Sequence, residues 1–231
     1  RHPGRPLVIF AALIAVLSVL LSGSRGGVIA LLAEFAVLTA AVFHADSLER
    51  NRTLIAGLTL VLLAGGLFFW LDPGGVWQRW QQLSDARELT ANMRSQVSAD
   101  TLRLARDHLP HGVGLGAFAA AYPSYQTVVT DDVIDYAHND YVQFLAEGGV
   151  AAGILIVVSL FLFIRLAFAR LRQRLQEPAG WLQLGAAAGV CGILVHSLLD
   201  FNLHIPANAA WLAFCAALAT VRGTSTREAR R

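Results

Sequence analysis

Long apolar runs, broken by one extended polar stretch, set the terms for what this chain can fold into. Six runs stand out: Leu7 to Leu21, Val28 to Phe43, Leu54 to Leu71, Gly148 to Phe168, Trp181 to Leu199 and Ile205 to Val221. Several approach the roughly 20 residues needed to cross a bilayer as a helix. Each must be helical if it spans, because lipid offers no partner to a free backbone N–H or C=O. Charged residues make up 15% of the chain, against about 25% in a soluble domain. An ordinary soluble globule is thereby excluded, and the expected class is all-α: a polytopic transmembrane helix bundle of about six spans.

The arginines orient it. All eighteen basic residues are Arg. With the N-terminus inside, twelve lie on the cytoplasmic side and six outside, as the positive-inside bias requires. Both ends are then cytoplasmic. Residues 1–71 would hold three spans, 72–147 a non-cytoplasmic loop, 148–221 three more spans, and 222–231 a cytoplasmic tail. The net charge of +2 is small and dispersed, so no nucleic-acid partner is expected. The chain begins Arg1-His2-Pro3 without Met, and a piece of a longer polytopic protein is the expectation. Cys191 and Cys215 sit in separate apolar runs with no metal spacing, and are expected to be small buried residues.

The long loop carries ten acidic residues against five Arg, and it has its own pattern. Val76, Trp77, Trp80 and Leu83 recur at helical spacing, and the Trp residues suit a helix lying at the membrane surface. A second helix is expected over Ser95 to His108, ended by Leu109-Pro110. Gly112-Val113-Gly114-Leu115-Gly116 follows a helix and a Pro rather than a strand, and no Gly-Lys-Ser/Thr follows it. It therefore reads as a tight turn and not a phosphate loop.

Three places can carry chemistry. Arg25 lies between two apolar spans, beside Gly26 and Gly27, which let a ligand or backbone approach closely. It is either an interfacial anchor that snorkels to lipid phosphates or a functional cation at membrane depth. His138 opens the segment His138-Asn139-Asp140-Tyr141 that leads into the fourth run. It either caps the helix or pairs with Asp135 or Asp140, or it is an imidazole that takes a proton from a hydroxyl. His196, Asp200 and His204 recur at steps of four. His196 and Asp200 could pair to fix a turn, and a His-Asp-His metal site has little else at liganding spacing to support it.

In order and spacing these pieces resemble the O-antigen ligase and O-antigen polymerase family of bacterial membrane glycosyltransferases. The matching pieces are Ser24-Arg25-Gly26-Gly27 after an apolar span and Arg94 upstream of Arg106-Asp107-His108-Leu109-Pro110. Then come His138-Asn139-Asp140-Tyr141, Glu147-Gly148-Gly149 and His196-Ser197-Leu198-Leu199-Asp200-Phe201-Asn202. Two details depart: Gly149 to Gly153 is one residue longer than the usual Gly-x-x-Gly, and Ser98 replaces an aromatic after the loop Arg. The chain resembles the C-terminal half of such proteins.

The resemblance implies a multi-pass protein of the bacterial inner membrane with the loop in the periplasm. It implies transfer of a glycan from undecaprenyl pyrophosphate to a lipid A-core, another glycan or a protein hydroxyl, among membrane lipids. The expected reaction is inverting, with no metal and no cofactor. His138 would be the general base or acceptor positioner, and Arg25 and Arg94 would bind the pyrophosphate, with Arg103 and Arg106 as further candidates. Asn139, Asp140, Tyr141 and Asp200 would support them. The rival class is a solute transporter, which places ionisable groups near the bilayer midplane; Glu34 is the main such group here.

Overall fold

The computed structural model describes residues 5–43, 92–174 and 178–221, together with 51, 54, 55, 57, 58 and 66. The expected third span falls mostly outside these residues, and the expected Val76–Leu83 helix wholly so. Among the described residues every regular element is helical. The order is α1 (Arg5–Leu21), α2 (Arg25–Phe43), α3 (residues 92–107), α4 (Phe118–Ala121), α5 (Asp140–Arg174), α6 (Pro178–His196) and α7 (Pro206–Thr220). Short 3-10 turns cover Tyr122–Ser124 and Asn202–His204.

Among the described residues, two stretches are long and apolar enough to cross a membrane, Asp140–Ala169 in α5 and Ala179–His196 in α6; α1 and α7 are apolar but shorter. Only 6% of the most apolar part of the α5 stretch is buried by protein, against 44% for α6. An exposed apolar surface that extensive needs an apolar solvent, whereas α6 sits at the centre. α2 lies along one flank of α6 and α7 along another, and α5 touches both α6 and α7. Small residues let α6 and α7 approach closely: Ala186, Ala187 and Val190 bury against Cys215 and Ala219. Glu34 of α2 packs directly over Gly192 of α6, so it lies in a helix interface.

The loop packs around a core of its own. Val97, Leu104 and Ala105 of α3 bury against Phe118, Tyr122, Val128, Ala137 and Ala146. Fully buried Asp100 organises the segment beyond α4. Its carboxylate accepts the Thr127 N–H at 2.8 Å, the Thr127 hydroxyl at 2.9 Å and the Tyr122 hydroxyl at 3.3 Å. Burial, then the negative charge and hydrogen bond of Asp100, pushes the Tyr122 phenol well above its usual range.

The glycine-rich segment is a turn, as its sequence implies, with a specific task. α5 breaks at Gly149, whose φ of 59° and ψ of −148° lie outside helical space. The break frees backbone groups that would be costly to leave unpaired. The turn takes them: Val113 N–H donates to Ala146 O, Gly114 N–H to Glu147 O, and Pro110 O accepts from Val150 N–H, each at 2.9 Å. The Glu147 carboxylate accepts the Gly116 N–H at 2.9 Å.

Candidate functional site

The turn between α1 and α2 comprises residues 22–24, and Arg25 to Gly27, which the sequence places between two apolar runs, form the first turn of α2. Ser24 is the reason. Its hydroxyl accepts the Gly27 N–H at 3.0 Å and its carbonyl the Val28 N–H at 3.0 Å, the geometry of a helix N-cap. Arg25 is thereby fixed at the positive end of a helix, where backbone N–H groups favour an anion.

The His138 segment is built by docking two helix ends. Asn139 caps α5, its side-chain oxygen accepting the N–H groups of Tyr141 at 3.1 Å and Val142 at 3.2 Å. The carbonyls at the C-terminal end of α6 lack intrahelical donors, and this segment supplies them. Asn139 Nδ2 donates to Leu198 O at 3.1 Å, the Asp140 N–H to Ser197 O at 2.9 Å, and the Tyr141 hydroxyl to Leu194 O at 2.8 Å. Asp140 is fully buried. Its carboxylate holds the following turn through His204 Nδ1 at 2.7 Å and the Leu203 N–H at 2.9 Å. Asp140 and Tyr141 are therefore structural supports.

This clamp yields a prediction. Asp140→Ala leaves Leu203 and His204 without their acceptor, and should destabilise the protein by about 3 kcal/mol, as breaking a buried charged contact does. Thermal melting of the detergent-solubilised protein checks it; a variant that melts with wild type would remove the clamp.

With its neighbours fixed, His138 is thrown outward. Its φ is 51°, the only positive value at a non-glycine residue among those described. The ring stands edge-on to Phe201, centroids 5.2 Å apart, and Nδ1 lies 3.1 Å from Asp200 Oδ1. Asp200 Oδ2 is 3.5 Å from Arg94 Nη1, so one carboxylate joins the histidine and the arginine. Partial burial raises the Asp200 pKa, but the His138 hydrogen bond, the Phe201 N–H and the Arg94 charge outweigh it and hold the carboxyl below its ordinary value. A carboxylate that accepts Nδ1–H fixes the neutral imidazole with a lone pair at Nε2. Such a ring is equipped to take a proton.

These parts meet at one cavity of about 820 Å³. The first turn of α2 contributes Arg25 and Gly26, α3 contributes Arg94, Ser95 and Ser98, and the docked segment contributes His138 and Asn139. His196 and Asp200 close it from the end of α6. Ser98 donates to Ala137 O at 2.9 Å, which ties the Arg94 helix to the strand of chain leading into His138.

Two expected cations are elsewhere. Arg103 pairs with buried Asp100, and Arg106 is exposed; neither lines the cavity. The reason is helix geometry: Arg94, Ser95 and Ser98 lie together near the start of α3, Arg103 turns to the opposite face from Arg94, and Arg106 lies about 18 Å further along the helix axis. The expected pairings also change. Asp200 partners His138 and Arg94 rather than His196, and Asp140 partners His204 rather than His138. The His196-Asp200-His204 series is thus divided among three tasks. Sequence reading named Ser24, Ser95 and Ser98 only as motif or helix-boundary positions and gave them no role in a site. Only Ser24, preceding a Gly-rich helix start, carries a capping signal that could have marked it.

A model of the O-antigen ligase family matches residues 10–157. No curated protein and no solved structure matches the chain.

Proposed function

Because the chain belongs to the O-antigen ligase family, a family of glycosyltransferase-type membrane enzymes, we propose that it transfers a glycan from undecaprenyl pyrophosphate to a lipid A-core or similar acceptor. The reaction would take place at the periplasmic face of the bacterial inner membrane, in a bundle of about six spans with cytoplasmic ends. The observation that carries this reading is the shared cavity. Two arginines from separate helices and a histidine backed by a carboxylate open onto the same space.

The reaction asks for both. The acceptor oxygen attacks the anomeric carbon, the bond from that carbon to the pyrophosphate oxygen breaks, and the pyrophosphate leaves with the electron pair. Its growing negative charge is met by Arg25 and Arg94, whose planar forks bind phosphate oxygens in pairs. The N-terminal end of α2 adds its own positive potential. Positive groups fixed beforehand stabilise that charge without reorganisation. The acceptor's proton goes to His138 Nε2, while Asp200 stabilises the imidazolium and keeps the ring aligned. A single displacement inverts the anomeric centre, and with two guanidiniums present the proposal gives no role to a metal.

The test is transfer from a polyprenyl-pyrophosphate-linked glycan in vesicles carrying the full-length protein. Losing one charged hydrogen-bonding partner should lower kcat/KM for the donor about 10- to 100-fold in Arg25→Ala and in Arg94→Ala. Arg94→Lys should recover only part, since an ammonium lacks the fork. Unchanged donor affinity and turnover in the double Ala variant would take both residues out of the site. The acceptor that is consumed, whether lipid A-core, a second glycan repeat or a protein hydroxyl, distinguishes ligase, polymerase and protein-glycosylating activities.

A further inference from the structure

His196 stands in the same cavity with no part in the transfer just described. It is the last residue of α6 and lines the space beside Arg25. Its ring nests on the first turn of α2: a Cβ added at Gly26 would lie 2.8 Å from His196 Cδ2 and 2.9 Å from Nε2. The absence of a side chain at Gly26 is what lets the imidazole come this close to the helix start.

The two cavity histidines differ in what stands behind them. His138 has Asp200 on Nδ1, and the other carboxylate–imidazole contact at this end joins Asp140 to His204. His196 takes neither carboxylate. An imidazole backed by a carboxylate is set to accept a proton. One without such a partner keeps its ring N–H for whatever enters the cavity. On the Arg25 side, the acceptor-rich group that fits beside a guanidinium and a helix N-terminus is a phosphate.

We propose that His196 is a diphosphate-contacting residue. It donates a ring N–H to a phosphate oxygen next to Arg25 and holds the leaving group while His138 takes the acceptor's proton. This rests on the reading of the cavity as a site of transfer from a pyrophosphate-linked glycan. Gly26 belongs to the same device, because a methyl group there displaces the ring without removing it.

The experiment varies the polyprenyl-pyrophosphate-linked donor at saturating acceptor, then the acceptor at saturating donor, with full-length protein in vesicles. For loss of one hydrogen bond to a charged group, His196→Ala should lower donor kcat/KM about ten-fold and leave the acceptor KM unchanged. His196→Gln keeps an N–H near the position of Nε2, and should return to within about three-fold of wild type. Gly26→Ala should reproduce the donor-side defect. Wild-type donor kcat/KM in His196→Ala overturns the proposal. So does an equal fall for donor and acceptor that Gln does not rescue, which would mark a purely structural residue. If wild type transfers and needs Arg94, either result overturns this inference alone; if wild type transfers nothing from a pyrophosphate donor, the reading beneath it falls too.

Discussion

Replacing His138 by Asn in the full-length protein is expected to lower glycan transfer about 10²- to 10⁴-fold, the usual contribution of a well-placed general base. The choice of substitution matters because His138 has a φ of 51°. Alanine there carries a left-handed backbone penalty of about 1–2 kcal/mol, while Asn and Gly tolerate the conformation. His138→Asn and His138→Gly should therefore accumulate as folded protein, bind the donor as wild type does, and fail in turnover. Asp200→Asn should fall between these and wild type, because it loosens Arg94 and His138 together. The half-exposed Arg94–Asp200 contact by itself is worth little in stability, so the loss should appear mainly in rate. A native rate in any well-folded His138 variant ends the assignment.

The folded Asp200 carboxyl titrates below its ordinary value, so its contribution to stability is present above the unfolded pKa. That contribution is lost only as pH falls through the lower folded value. The carboxylate behind His138 thus stays charged through the neutral and mildly acidic range. A fall in activity between neutrality and the carboxylate range reports some group other than Asp200.

Much of the architecture was legible because apolar run length is a direct consequence of bilayer thickness. The runs at Leu7, Val28, Gly148, Trp181 and Ile205 correspond to α1, α2, α5, α6 and α7. Their starts were less legible, since capping and docking set them rather than hydropathy. α2 begins at Arg25 because Ser24 caps it, and α5 begins at Asp140 because Asn139 does. Arg25, Arg94 and His138 were marked by residue type and order, and they converge on one cavity. Their partners could not be read along the chain. Asp200 is 62 residues from His138, and the near neighbours Asp135 and Asp140 were equally plausible by spacing. Only the fold decides that Asp140 is spent on the turn at Leu203 and His204, which leaves Asp200 for the histidine. Arg103 and Arg106 failed because proximity in sequence to Arg94 says little along a helix: half a turn of phase puts Arg103 on the opposite face, and about three turns separate Arg106 from Arg94.

Gly149→Ala is expected to do more damage to the fold than any other single change of one methyl group. At φ 59° and ψ −148° the residue sits near a region that only glycine populates freely, and forcing another residue there costs of order 1–3 kcal/mol. The added Cβ would also overlap Pro110 O and lie 2.7 Å from both Gly112 N and His111 C. These are backbone atoms that no rotamer change can move aside. The glycine turn would have to lift off α5, surrendering the three backbone hydrogen bonds that close the helix break. Together these terms exceed about 3 kcal/mol, a large part of a total stability of about 5–15 kcal/mol. Gly116→Ala is the matched control. It too has a positive φ, 75°, but nothing lies within 4 Å of an added Cβ, so only the backbone penalty of about 1–2 kcal/mol applies. Melting of the detergent-solubilised full-length proteins should show a small loss for Gly116→Ala and a severe one, with little folded protein recovered, for Gly149→Ala. Equal melting of the two variants would mean that the turn does not close the break. The site would feel the larger loss directly, because Asn139 caps the same short helix that Gly149 ends, and His138 is held only as firmly as that helix is.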